Sequence, residues 1–252
     1  MAHLHQLKFV SLVDEYFVKR HRPSISILEV GSYDVNGSVR QIFPGCKYIG
    51  ADLCEGPGVD LVRSGHEIDF PDGSFDIAIS CECFEHNPHW LATFLNMQRM
   101  TRPGGLVIMT CASKGRLEHG TRRAHFDSSP GTSSLSIDYY RNLTENDFTD
   151  AVRLDQLFAA RRFFYIRRSC DLYFVGWKTG PARFEGDVDR FCRAVEEINH
   201  LGKTRVKIFD IPVSVARHLD MNDKAFQDFS FSYLAAVRPI RDFIKSLSRW
   251  RR

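Results

Sequence analysis

Phe9, Leu12, Val13, Tyr16 and Phe17 recur at helical spacing, so residues 1–21 read as an amphipathic helix that Pro23 ends. Short apolar bursts follow. "SISILEVG", "KYIGADL", the weaker "GVDLVR", "SFDIAISCE" and "LVIMTCAS" each read as a strand. Between them lie a brief helix in "GSVRQIFP", a turn at Asp72-Gly73, and a helix in "HWLATFLNMQRMTRPGG" ended by Pro103 and two glycines. Strands alternating with helices and turns at this spacing predict βαβ units in a doubly wound, mainly parallel α/β sheet. "TENDFTDAVRLDQLFAA" reads as a further helix, N-capped by Thr144. "FFYIRRSCDLYFVGWK" reads as two strands joined by a tight turn, giving the sheet an antiparallel terminal strand. "VDRFCRAVEEINHL" and "AFQDFSFSYLAAVRPIRDFIKSLSRW" predict a helical C-terminal extension.

From Lys114 to Asp138 no period holds, and Ser, Thr, Gly, Arg and His dominate. So long an irregular connection inside a domain is commonly a functional loop or lid. The expected organisation is an N-terminal helix at 1–21, a core at 22–180 with an insertion at about 114–141, and the extension at 181–252.

Composition adds bounds. A chain of 252 residues, 43% hydrophobic and 26% charged, can bury one large α/β core. A net charge of +3 is too small to imply nucleic acid by itself. The 7 cysteines are odd in number and scattered, which suits reduced thiols. The first residues lack the continuous apolar run of a secretory signal, and no stretch approaches the roughly 18–20 apolar residues of a membrane span. A cytoplasmic location is expected.

The chemistry concentrates where strands end. Gly31 closes the first apolar burst, and Asp52 closes the next, 21 residues on, which suits one βαβ step. A glycine past a parallel strand lets backbone approach a ligand, and an acidic residue ending the next strand can accept from ribose hydroxyls. The glycines do not form the G-x-G-x-x-G of a pyrophosphate loop: Gly31 stands alone, with Ser32 after it and Gly37 six residues on. The blander reading of Glu29, Gly31, Gly37 and Asp52 is a turn and two strand ends, but four ordered motifs weigh against it.

"LEVGSYDVNG", "YIGADL", "FPDGSFDIAISCECFEHNPHW" and "RMTRPGGLVIMT" resemble, in order, motifs of class I S-adenosylmethionine-dependent methyltransferases, over roughly residues 25–112. The resemblance implies a Rossmann-like core and S-adenosylmethionine as cofactor. It implies that Glu29 and Gly31 face the methionyl part, that Asp52 takes the ribose hydroxyls and Leu53 lines the adenine, and that Ser80 and Cys81 pass the sulfonium. Where many members carry an aspartate after the third strand, "LVRSGHEIDF" offers Ser64 or His66.

Cys81, Cys83, His86 and His89 raise a metal reading, but cysteines one residue apart on a strand end point different ways, and no metal is expected. His119, past the fifth strand, and His86, past the fourth, are the competing candidates for a general base. His119 shares its segment with Arg122, Arg123, His125, Tyr139, Tyr140 and Arg141, suited to acceptor contacts. In the tail, Ile240, Phe243, Ile244 and Leu247 share one helix face and Arg241, Lys245, Arg249 and Arg252 another. Such a helix ordinarily packs on its own domain, and its basic face also suits peripheral membrane contact.

The expected function is methyl transfer to a small-molecule or saccharide acceptor, at oxygen, with acceptor, methyl and sulfur held in line. The alternatives are a nucleic-acid methyltransferase, disfavoured because no interleaved basic and aromatic platform is present, and a non-catalytic module that keeps the cofactor fold.

Overall fold

The computed structural model describes residues 3–201, 208–219 and 221–249, with 244–249 described by backbone alone. Seven strands form one sheet: β1 (Ser26–Val30), β2 (Lys47–Asp52), β3 (Leu61–Val62), β4 (Phe75–Cys81), β5 (Thr101–Ala112), β6 (Phe158–Ile166) and β7 (Asp171–Lys178). Their order is β3-β2-β1-β4-β5-β7-β6. The first five pair in parallel, and β7 runs antiparallel to both β5 and β6. β1 and β4 are adjacent, and the strand order reverses between them. Ligand crevices of open α/β sheets form at such a point, outside the carboxyl ends of the strands.

β4 is buried at every position, so its apolar run lies at the centre of the sheet. β6, at the edge, carries Arg161 and Arg162, the charged side chains that discourage pairing with another chain. The faces divide by alternation. Ile27, Ile77, Ile79 and Cys81 pack with Phe9, Val13 and Phe17, while Leu28, Val30 and Ala78 pack with Phe94 and Met97.

α1 (Leu4–Val13) covers the first face and α2 (Trp90–Met100) the second; α2 buries Trp90, Thr93, Phe94, Met97 and Met100 along one stripe. The helix ends at Met100, before Pro103, because Thr101 pairs with Phe75 and opens β5. Lys178 Nζ donates to the carbonyls of Gln98, Arg99 and Thr101, closing the negative end of the helix.

The irregular connection holds α3 (Pro130–Ser134), a turn of 3-10 helix at Phe126–Ser128, and turns. Thr144 caps α4 (Glu145–Ala151) through a reciprocal box with Asp147. The single helix expected next is broken into α4 and α5 (Leu154–Leu157), and "FAA" joins β6 because Phe158 pairs with Lys178.

α6 (Val188–Glu196) belongs to the core. Phe191, Val195 and Ile198 join Phe9 and Phe17 in one buried cluster. Contacts therefore divide the chain into units 1–201 and 202–252, so the extension begins after Leu201 and not at 181. The second unit contains α7 (Ile211–Ala216) and α8 (Asp223–Arg249). Ile240 and Phe243 of α8 are exposed; the side chains of Ile244, Lys245, Leu247 and Arg249, and all of Arg252, lie outside the described residues. No described helix is long and apolar enough to cross a membrane.

Candidate active site

A cleft of about 960 Å³, including its open mouth, lies at the carboxyl ends of β1, β2 and β4. Gly31, Asp52, Leu53, Ser64, His86 and His119, all singled out from the sequence, line it.

Asp52 ends β2 with both oxygens oriented by backbone. Oδ2 accepts from the Tyr33 amide at 2.9 Å and Oδ1 from the Leu53 amide at 2.7 Å. Each oxygen has a second lone pair, so the carboxylate is aimed and still able to accept. Burial raises its pKa above the usual aspartate value, and those two amide hydrogen bonds oppose the rise.

Gly31 has φ +83°, and a Cβ there would meet Cys83 Cβ at 2.5 Å, so the loops after β1 and β4 touch. Its amide and that of Ser32 both donate to Ala51 O, at 2.8 and 3.1 Å. A phosphate-binding loop needs such amides free. Here they are committed to the neighbouring strand.

Five expected cofactor residues stand elsewhere. Glu29 faces the α1 side, where its Oε2 accepts from the Tyr48 hydroxyl at 2.9 Å; burial raises its pKa to about 7. Alternation explains this, because Val30, the next residue, takes the cleft side. Ser32 is buried against Gly50, and the Gly37 amide donates to Asp34 Oδ1 in a local turn. Ser80 and Cys81 are still within β4, so neither reaches the cleft. The chain leaves the sheet at the next residue, Glu82, with φ 52°, and Glu82 and Cys83 form the wall there.

Cys81, Cys83, His86 and His89 do not converge. Cys81 packs on the α1 side, Cys83 lines the cleft, and the His89 ring lies over His66 with centroids 4.1 Å apart. Ser64 Oγ hydrogen-bonds His66 Nδ1 at 2.8 Å, so polar groups with no aspartate occupy the position after β3.

Glu82, Glu85, His86 and His119 gather at the far end. Glu85 is fully buried, and neither of its oxygens accepts a hydrogen bond from another residue. Glu82 Oε2 lies 3.7 Å from Arg116, which also lies 3.4 Å from Asp171. Burial, and then Asp171, raises Glu82 against the pull of Arg116; burial, and then Glu82, raises Glu85. His119 Nδ1 lies 3.1 Å from Leu117 O, and a carbonyl only accepts, so Nδ1 holds the proton and Nε2 a free lone pair. His86 Nδ1 is buried without a hydrogen-bond partner. Burial lowers His86 to about 3 and His119 to about 4, so both rings are neutral at pH 7. Their rings meet edge to face at 4.9 Å, with Tyr140 against both.

The irregular connection roofs the cleft. Ser128, Ser129, Gly131, Thr132 and Ile137 line it, and a Cβ on Gly131 would come 2.5 Å from Asp52 Oδ1. The roof therefore meets the Asp52 carboxylate. The sequence reading missed Glu82, Glu85 and Gly131. The Glu-x-x-Glu-His spacing of "ECFEH" was the available signal for the first two; nothing local marks Gly131.

Residues 1–157, more than half the chain, match the family described as methyltransferase domain. The chain belongs to that family. This methyltransferase is class I and uses S-adenosylmethionine. No curated protein matches it. Among solved structures, it is similar to the 1,6-didemethyltoxoflavin-N1-methyltransferase of Burkholderia thailandensis, at 15% identity and TM-score 0.48, covering 70% of this chain and 80% of that one. The YcgJ protein of Bacillus subtilis aligns at 12% identity and TM-score 0.48, over 71% of this chain and 100% of that one. A putative methyltransferase of Bacillus halodurans aligns at 13% and 0.44, over 82% and 86%.

The cleft residues fit the cofactor. Asp52 presents an oriented acceptor to vicinal hydroxyls, and the loop after β1 has no free amide pair for a second phosphate group. Bound there, S-adenosylmethionine supplies an electrophilic methyl group on a sulfonium.

Proposed function

We propose that this methyltransferase methylates a hydroxyl oxygen of a small-molecule or saccharide acceptor, with the acceptor seated between the cofactor and the Glu82–Glu85–His86–His119 cluster. The observation that carries this reading is the roof. The segment lining the cleft from Ser128 to Ile137 reaches Asp52, which favours a small enclosed acceptor over a polymer lying across an open groove. Polar groups at the far end suit a polar acceptor, and His119 keeps Nε2 free there.

S-adenosylmethionine held at Asp52 would supply the methyl group and take the bond pair back on sulfur, and the buried cluster would take the hydroxyl proton of the acceptor. Alignment supplies most of the acceleration, which the walls at Cys83 and the roof enforce. A screen of small hydroxylated acceptors with radiolabelled methyl donor tests the reading, with oxygen methylation as the expected outcome. His119→Ala lowers kcat more than it weakens S-adenosylhomocysteine binding, because the residue acts on the acceptor side. Transfer only to nucleic acid, or full turnover in the variant, overturns the assignment.

A further inference from the structure

Glu85, His86 and His119 place one ligand atom each within 4.8 Å of one another. The three atoms have different histories in the chain: two come from the turn after β4 and one from the connection after β5. Three features make the group more than a coincidence of polar residues.

Glu85 is fully buried and neither oxygen has a partner from another residue. Buried polar groups are normally hydrogen-bonded, and a carboxyl left without a partner keeps both oxygens available to a ligand. Both histidines keep a ring nitrogen available: His86 Nδ1 is buried without a partner, and His119 holds Nδ1 on the Leu117 carbonyl and leaves Nε2 free. The His119 arrangement is how metal-ligating imidazoles are oriented, because the carbonyl bond fixes the tautomer and aims the lone pair.

The contrast with the neighbouring cluster is the third feature. His3, Glu82 and Asp171 also converge, but Arg116 stands between the two carboxylates and supplies their positive charge. Among the described residues no cationic side chain forms a salt bridge with Glu85.

We infer that Glu85, His86 and His119 bind a divalent first-row transition cation at the acceptor end of the cleft. Two imidazole nitrogens and one carboxylate oxygen suit Zn²⁺, Co²⁺, Mn²⁺ or Fe²⁺ over Mg²⁺, which prefers oxygen ligands. Metal bonds of about 2.0–2.2 Å bring neighbouring ligand atoms closer than the present spread, by side-chain rotation. Three protein ligands leave an open position, where a hydroxyl oxygen becomes more acidic. This consequence deepens the proposed oxygen methylation and rests on it. The site itself does not.

The test uses untagged full-length protein stripped with chelator, titrated with Zn²⁺ by calorimetry and with Co²⁺ by visible absorption. No cofactor or acceptor is present, and S-adenosylhomocysteine binding is measured separately, so the cation site and the methyl-transfer reading fail independently. The expected result is one cation per chain. Glu85→Gln and His119→Gln each weaken binding at least tenfold, the lower bound seen even for outer partners of a metal site. Should Glu85→Gln lose the wild-type circular dichroism, His119→Gln, in the irregular connection, carries the comparison alone. No saturable binding by the wild type, or wild-type affinity in either folded variant, overturns the site.

Discussion

Asp52 and Glu29 end or line adjacent strands and are both carboxylates, yet their surroundings give them opposite work. Asp52 is aimed into the cleft by two amides. Asp52→Ala removes a charge-assisted acceptor from the ribose and should weaken S-adenosylhomocysteine by about 1–3 kcal/mol, read by calorimetry on folded protein. An unchanged affinity would remove Asp52 from the cofactor site. Glu29 is buried on the other face, with its pKa raised from the usual 4.5 to about 7. The folded state keeps a proton there that the unfolded chain gives up, so this residue lowers stability as pH rises from 4.5 through 7. Glu29→Gln keeps an acceptor for Tyr48 and removes the titration. It should be more stable than wild type at pH 8 by up to about 3 kcal/mol and nearly equal at pH 4, compared by urea unfolding. The same difference at both pH values would show that the burial cost is not expressed.

At the scale of elements, the β1 loop and the roof decide what the cleft accepts. The loop commits its first amides to Ala51 and closes against Cys83, leaving no cradle for a pyrophosphate. S-adenosylhomocysteine should raise the melting temperature and NAD should not; equal stabilisation by NAD would contradict the loop argument. In the roof, Gly131 lies so close to Asp52 that any side chain must displace the carboxylate or the segment. Gly131→Ala should therefore cost about 1–3 kcal/mol of cofactor affinity, with little change in the urea midpoint of the free enzyme. Wild-type affinity in that variant would mean that the roof does not meet the ribose side.

The whole molecule divides in charge as it does in packing. Residues 202–252 carry eleven Lys and Arg against five Asp and Glu, +6, while the remainder is −3. The first unit has its own clusters on both faces of the sheet and includes α1 and α6. Its first turn is tied to the cleft, since His3 lies 2.9 Å from Asp171, which Arg116 connects to Glu82. A chain ending at Leu201 should stay soluble and cooperative, and should bind S-adenosylhomocysteine with unchanged affinity. A molten or aggregated product would show that the second unit stabilises the first.

Local pattern was enough for the strands, the parallel core with its antiparallel end, the Thr144 cap and the positions of Gly31 and Asp52, because alternation, capping and strand-end residues act over a few neighbours. It also placed His86 and His119 at strand ends without showing that they meet. Which way Glu29 points, where β4 releases the chain, and how Gly131 reaches Asp52 depend on pairing across the sheet and on a connection with no period. Glu85 gives the clearest case. In the sequence it is one more acidic residue before a histidine, and only the fold buries it without a partner and brings its carboxyl beside two imidazoles.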